Sequence, residues 1–184
     1  MATTSSSLTS EQLQELANRH LWLHFSRMGS YQRGEEIPII VRGDGCYVWD
    51  DHGNRYIDGL SALYCVNIGH GRADIAQAGA DQAKDLGFFT NWSYAHPKAI
   101  ELAAKVASLA PGDLNRVFFT SGGGESVESA LKLSRQYHKM TGNPNKTKII
   151  ARNIAYHGTT MGALAATGLT YARQPYEPLM PGGR

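Results

Sequence analysis

Val117-Phe118-Phe119-Thr120-Ser121-Gly122-Gly123-Gly124-Glu125-Ser126-Val127-Glu128, running on into Ser129-Ala130-Leu131-Lys132-Leu133-Ser134-Arg135-Gln136-Tyr137, decides the fold. Three apolar residues predict a buried strand and the glycines a turn. Val127, Ala130, Leu131 and Ser134 then recur at the spacing of one helix face. A glycine run at a helix entrance leaves backbone N–H groups uncovered, and the first turn's donors have no intrahelical acceptors, so the stretch can cradle a phosphate. The competing reading is a tight turn whose glycines serve backbone geometry alone. A P-loop is excluded, because no Gly-Lys-Ser/Thr tripeptide occurs in the chain. A dinucleotide fingerprint fails as well, since Val127 stands where Gly or Ala is needed for close helix-to-strand approach.

The chain around this stretch has 184 residues, enough for a sizeable core but short for a two-domain enzyme. With 18 Lys+Arg against 16 Asp+Glu and no dense basic run, neither nucleic acid nor an anionic membrane is an expected partner. No apolar run reaches membrane-helix length, and residues 1–7 lack the charged and apolar regions of a secretory signal. Cys46 and Cys65 can form neither a disulfide framework nor a zinc cluster; they are expected to pack in strand-like settings in a reducing, cytoplasmic compartment.

Upstream, Thr9 and Gln12 have capping-box spacing, which predicts a helix from about Ser10 to Phe25. His20 and His24 lie four apart on it. Leu21 occupies the position where a metalloprotease motif has glutamate, so packing or capping is preferred to metal binding. Residues 37–42, 46–50 and 55–58 predict a small antiparallel unit turning at Asp51-His52-Gly53-Asn54, and residues 60–71 a glycine-punctuated passage through an interior. Helices are predicted over about 72–86 and from Pro97 to Pro111-Gly112. Between them Phe88, Phe89, Trp92 and Tyr94 crowd a polar connection, as a contact with a core or partner subunit would. Lys148–Arg152 completes a right-handed, parallel βαβ unit with the strand at Val117. Tyr156-His157-Gly158 then opens a short helix over 161–167. The last ten residues offer no packing element, as if the chain were interrupted.

Five ordered motifs carry a resemblance: Tyr47-Val48-Trp49-Asp50 with Arg55-Tyr56-Ile57-Asp58-Gly59, Cys65 to Gly71, His96-Pro97, the glycine turn with Glu125, and Tyr156-His157-Gly158. From about Leu21 onward the chain resembles the N-terminal portion of a class III (omega-amino acid type) aminotransferase, a pyridoxal 5′-phosphate enzyme of fold type I. The resemblance implies an α/β fold: an N-terminal segment plus an incomplete large domain with a truncated, mostly parallel sheet. It divides the chain into a flexible tail and helix cap (1–12), a helix with a small antiparallel unit (13–59), and the first part of the cofactor domain (60–184).

The resemblance also implies site roles. Gly122, Gly123 and Gly124 would hold the cofactor phosphate, Tyr156 would stack on its ring, and His157 and Gly158 would orient the turn beside it. Tyr64 would line the substrate pocket, and the Phe88–Trp92 connection would approach it across a homodimer interface. Where many members carry Ser-Gly-Ser/Thr and Glu-Ala, this chain has Gly122-Gly123-Gly124 and Glu125-Ser126, so two hydroxyl donors are missing and backbone donors must suffice. In the complete enzyme an amine or omega-amino acid would pass its amino group to a keto acid. The lysine that forms the Schiff base and the acid that pairs with the pyridine nitrogen lie, in the family, beyond Arg184. Lys84, Lys98, Lys105, Lys132, Lys139, Lys146 and Lys148 match no catalytic motif, so the isolated chain is predicted inactive. The alternatives are a non-catalytic phosphate- or cofactor-binding fragment and the remnant of an interrupted gene.

Overall fold

A computed structural model describes residues 8–179. The tail at 1–7 and the Gly182-Gly183-Arg184 ending lie outside them. The chain forms two compact units that divide between Phe89 and Thr90.

The first unit begins with α1 (Ser10–His20), capped as its sequence dictates: Thr9 Oγ1 accepts from Gln12 N at 3.2 Å, and Gln12 Oε1 accepts from Thr9 N at 2.9 Å. The helix stops at His20, short of the predicted Phe25, because Leu21 turns extended and its N–H is taken by Ala17 O. His24 is therefore off the helix, and the four-residue ligand spacing is not realised. A short α2 (Gly29–Gln32) leads to β1 (Ile40–Asp44), β2 (Tyr47–Asp50) and β3 (Arg55–Ile57), an antiparallel sheet in the order β1-β2-β3. Tyr47 faces Ile57, and Ile40 faces Asp50 across a register shift.

Strand β1 starts three residues later than the apolar run suggests. Pro38 has no N–H for a ladder, and both backbone groups of Ile37 are engaged by Gln14 of α1, at 3.1 Å to its Oε1 and 2.6 Å from its Nε2. Ile37 is thereby buried beneath α1. Asp50 closes the sheet's turn: Oδ1 accepts from His52 N and Asn54 N, and Oδ2 from Asn54 Nδ2 and the Tyr56 hydroxyl. These bonds, the Asn54 amide's first, hold the Asp50 carboxyl below its usual range.

Residues 60–71 do not run through an interior. They form a one-turn α3 (Ser61–Tyr64) whose four residues all have positive φ, between 47° and 66°, with Leu63, Tyr64 and Ile68 exposed. Asp58 Oδ2 accepts from Ala62 N and lies 2.8 Å from His70 Nε2, pinning the turn at its base. Cys46 and Cys65 are likewise exposed, not packed: Cys46 lies in the β1–β2 turn and Cys65 caps α3. Helix α4 (Ala73–Leu86) completes the unit.

The second unit carries α5 (Pro97–Leu109), α6 (Gly123–Met140), α7 (Met161–Ala166), α8 (Thr170–Arg173) and a 3-10 turn, Gln174–Tyr176. Pro97 sits at the first turn of α5, and His96 Nδ1 accepts from Ala99 N, so the His96-Pro97 motif is a helix start. The buried apolar residues here belong to α7, namely Ala163, Leu164, Ala165 and Ala166. Among the described residues Val117–Phe119 and Lys148–Arg152 form no parallel ladder, Ile149 making only an isolated bridge. Among the described residues the sheet is β1-β2-β3, and both segments lie outside it. A strand needs a ladder neighbour, and a parallel one needs cover on both faces; Phe118 is 81% exposed and Ile150 93%. The aromatics Phe88, Phe89, Trp92 and Tyr94 are exposed too.

Candidate functional site

The entrance of α6 opens into a concavity of about 620 Å³. Ser121, Gly122, Gly123, Gly124, Glu125 and Val127 form one wall, and Tyr156, His157, Gly158, Thr159 and Thr160 the other. All six residues that the resemblance assigns to the cofactor thus share one hollow.

The glycines differ in what requires them. Gly122, the N-cap, is extended at φ −164°, open to any residue, and makes no side-chain cap bond. A Cβ at Gly122 or Gly123 would meet nothing within 4 Å. The turn-geometry explanation therefore fails at both positions. At Gly124 a Cβ would come within 3.2 Å of Thr160 Cγ2, and Gly158, at φ +129°, presses on Gly124 so closely that its Cβ would lie 3.0 Å from Gly124 Cα. These two glycines bring the walls together; the other two leave the floor bare.

Glu125 Oε2 accepts from Ser121 N at 2.9 Å, fastening the turn ahead of the helix. Ser126 Oγ contacts Thr120 Oγ1 and donates to Gly122 O. Tyr156 is 56% exposed, and its backbone neighbour His157 donates to the fully buried Thr167 hydroxyl at 3.0 Å. Thr167 Oγ1 also lies within bonding distance of Gly158 O and Ala163 O.

Sequence reasoning missed Glu128. Its Oε1 accepts from Thr160 Oγ1 at 2.7 Å, Gly162 N at 2.6 Å and Ala163 N at 3.1 Å. The Thr160 hydroxyl first, then the two amides and nearby Lys132, hold its carboxyl below the usual glutamate range, against the burial that would raise it. The available signal was its place one turn beyond Gly124 on the same face of α6.

The lining of this hollow includes neither of the two predicted substrate-pocket residues. Tyr64 projects from α3 in the first unit, 72% exposed, and Trp92, on the connection before α5, is not among the lining residues. Asp50, Asp51 and His52 place ligand atoms within 4.8 Å of one another, but the Asp50 oxygens already accept four hydrogen bonds.

The family model Aminotransferase class-III matches residues 30–182. The chain is 57% identical over 171 residues to the protein named Probable aminotransferase Rv3329 of Mycobacterium tuberculosis, covering 93% of this chain and 36% of the relative. Against beta-alanine–pyruvate aminotransferase of Pseudomonas aeruginosa it is 37% identical, covering 90% of this chain and 37% of the relative. Among solved structures, an (S)-enantioselective omega-transaminase from Thermomicrobium roseum superposes with a TM-score of 0.92 at 41% identity, over 96% of this chain and 39% of that one. The omega-transaminase of Pseudomonas jessenii, in complex with PMP, gives 0.89 at 30% identity, over 93% and 38%. The chain spans little more than a third of these relatives' length, as an N-terminal portion would. With motif order, fold and family model in agreement over most of its residues, this chain belongs to the class III aminotransferases.

Proposed function

We propose that the hollow at the entrance of α6 binds pyridoxal 5′-phosphate, and that the complete enzyme passes an amino group from an amine or omega-amino acid to a keto acid. The observation that carries this reading is the bareness of Gly122 and Gly123, which neither their backbone conformation nor their packing requires. A phosphate dianion there meets the first-turn amides of α6 at the positive end of an 18-residue helix. Tyr156, half exposed in the same hollow, offers a flat face to the pyridine ring, and His157 and Gly158 set the turn that presents it. Ser121 and Thr159 line the hollow too and bring hydroxyls to a site whose motif lacks two of them. Bound cofactor supplies an electron sink for bonds at the amine-bearing carbon.

The relative named for β-alanine and pyruvate, and the neighbour solved with PMP, support the substrate and cofactor classes. In the complete enzyme Tyr64 and Trp92 line the substrate pocket, and a homodimer brings the Phe88–Trp92 connection toward it. Two free, exposed thiols suit a cytoplasmic protein. The residues lining the hollow include no lysine, so this chain alone is expected to bind cofactor without turnover.

Calorimetric titration with pyridoxamine 5′-phosphate, which carries no aldehyde to react with surface lysines, tests the reading. Gly123→Val places a branched side chain in open space, so it should leave the fold intact while abolishing measurable binding. Undiminished binding by that variant, or amine turnover with pyruvate by the unmodified chain, would overturn the proposal.

A further inference from the structure

Tyr156 can serve a cofactor ring only if its wall is held at a fixed distance from the glycine entrance, and the bonds that hold it converge on one side chain. Glu128 stands one turn beyond Gly124 on α6 and reaches across to the start of α7. Thr160, the N-cap of α7, accepts no cap bond of its own, and its hydroxyl donates to Glu128 Oε1. The same oxygen accepts from Gly162 N and Ala163 N. The cap of α7 is therefore supplied by a different helix.

Gly162 is shaped for this contact, since a Cβ there would run into the Glu128 carboxylate. The far end of α7 returns to the same turn through Thr167, which accepts from His157 N. The segment 156–160 is thus clamped between α7 and α6, with Gly158 seated on Gly124.

We infer that Glu128 is a positioning residue of the cofactor site: by holding the entrance of α7 against α6 it fixes the Tyr156 wall opposite the bare glycines. The inference rests on the reading of the hollow given under Proposed function. Glu128 does not line the hollow and acts through Thr160, Gly162 and Ala163.

The experiment is a titration of the full chain with pyridoxamine 5′-phosphate, comparing wild type, Glu128→Ala, Glu128→Gln, Tyr156→Ala and the Glu128→Ala/Tyr156→Ala double variant. Loss of the charge-assisted bonds in Glu128→Ala should weaken binding about tenfold or more, whereas Glu128→Gln, which keeps an acceptor oxygen, should stay within about threefold of wild type. In the Tyr156→Ala background the Glu128→Ala loss should largely vanish, because the wall it positions is gone. Wild-type affinity in Glu128→Ala, equal loss in the Gln variant, or fully additive losses in the double variant would each overturn the inference while leaving the cofactor reading standing. A wild-type chain that does not bind the probe overturns both. Should Glu128→Ala fail to fold by circular dichroism, Thr160→Val, which removes one of the three bonds, takes its place with the same expectations at smaller size.

Discussion

At Tyr156 the two things a tyrosine offers, a flat face and a hydroxyl, can be separated by substitution. If the face is what matters, Tyr156→Ala weakens pyridoxamine phosphate binding by about 1 kcal/mol beyond the lost contact area, and Tyr156→Phe leaves it nearly unchanged. Equal damage from both in a calorimetric titration would assign the role to the hydroxyl instead. Gly122 and Gly123 were legible as a run of glycines before a helix, whereas Tyr156 was singled out only through the family resemblance. The roles of Glu128, Asp50 and Thr167 were not legible. Each looks like an ordinary polar residue on its own element, and its meaning lies in partners met through the fold; Glu128 finds three of them 32 to 35 residues away.

Between elements, the α6–α7 tie titrates. The folded Glu128 carboxyl sits below the ordinary glutamate value, so the tie is complete above that value and is lost as pH falls through the lower folded-state value. As pH falls below the ordinary glutamate range the entrance of α7 should loosen first, seen as faster amide hydrogen exchange at Gly162 and Ala163. Glu128→Gln should abolish that acid step; exchange that accelerates equally in the variant would show that another group is responsible. Helices were the most legible elements, since Thr9 with Gln12 and His96 with Pro97 announce their starts through contacts within four residues. Strands were less so. Val117–Phe119 and Lys148–Arg152 have strand composition, but a strand exists only with a neighbour to bond. At β1 the start was displaced by Gln14, a residue 23 positions upstream that no local pattern reveals.

The whole chain exposes 15,106 Å². A folded protein of 20.1 kDa would expose about 8,700 Å² as one globule and about 10,500 Å² as two equal ones. The excess exceeds a standard protein–protein interface of about 1,600 Å². Its character is apolar: α4, α5 and α6 bury no residue, and Phe118, Leu133 and Ile150 face outward. Purified alone, the chain should therefore self-associate, with sedimentation showing a distribution of species and no sharp melt. A monodisperse monomer unfolding cooperatively would sink that expectation and mark the chain as self-sufficient. The β1-β2-β3 sheet stands outside this dependence. Its two turns join neighbouring strands, and hairpins of that kind close in about 1–10 μs. On a ribosome adding ~5–20 residues per second, α6 is begun roughly 3 to 13 s after Ile57. The sheet with its Asp50 clasp can be complete, and waiting, before the first glycine of the cradle has been translated.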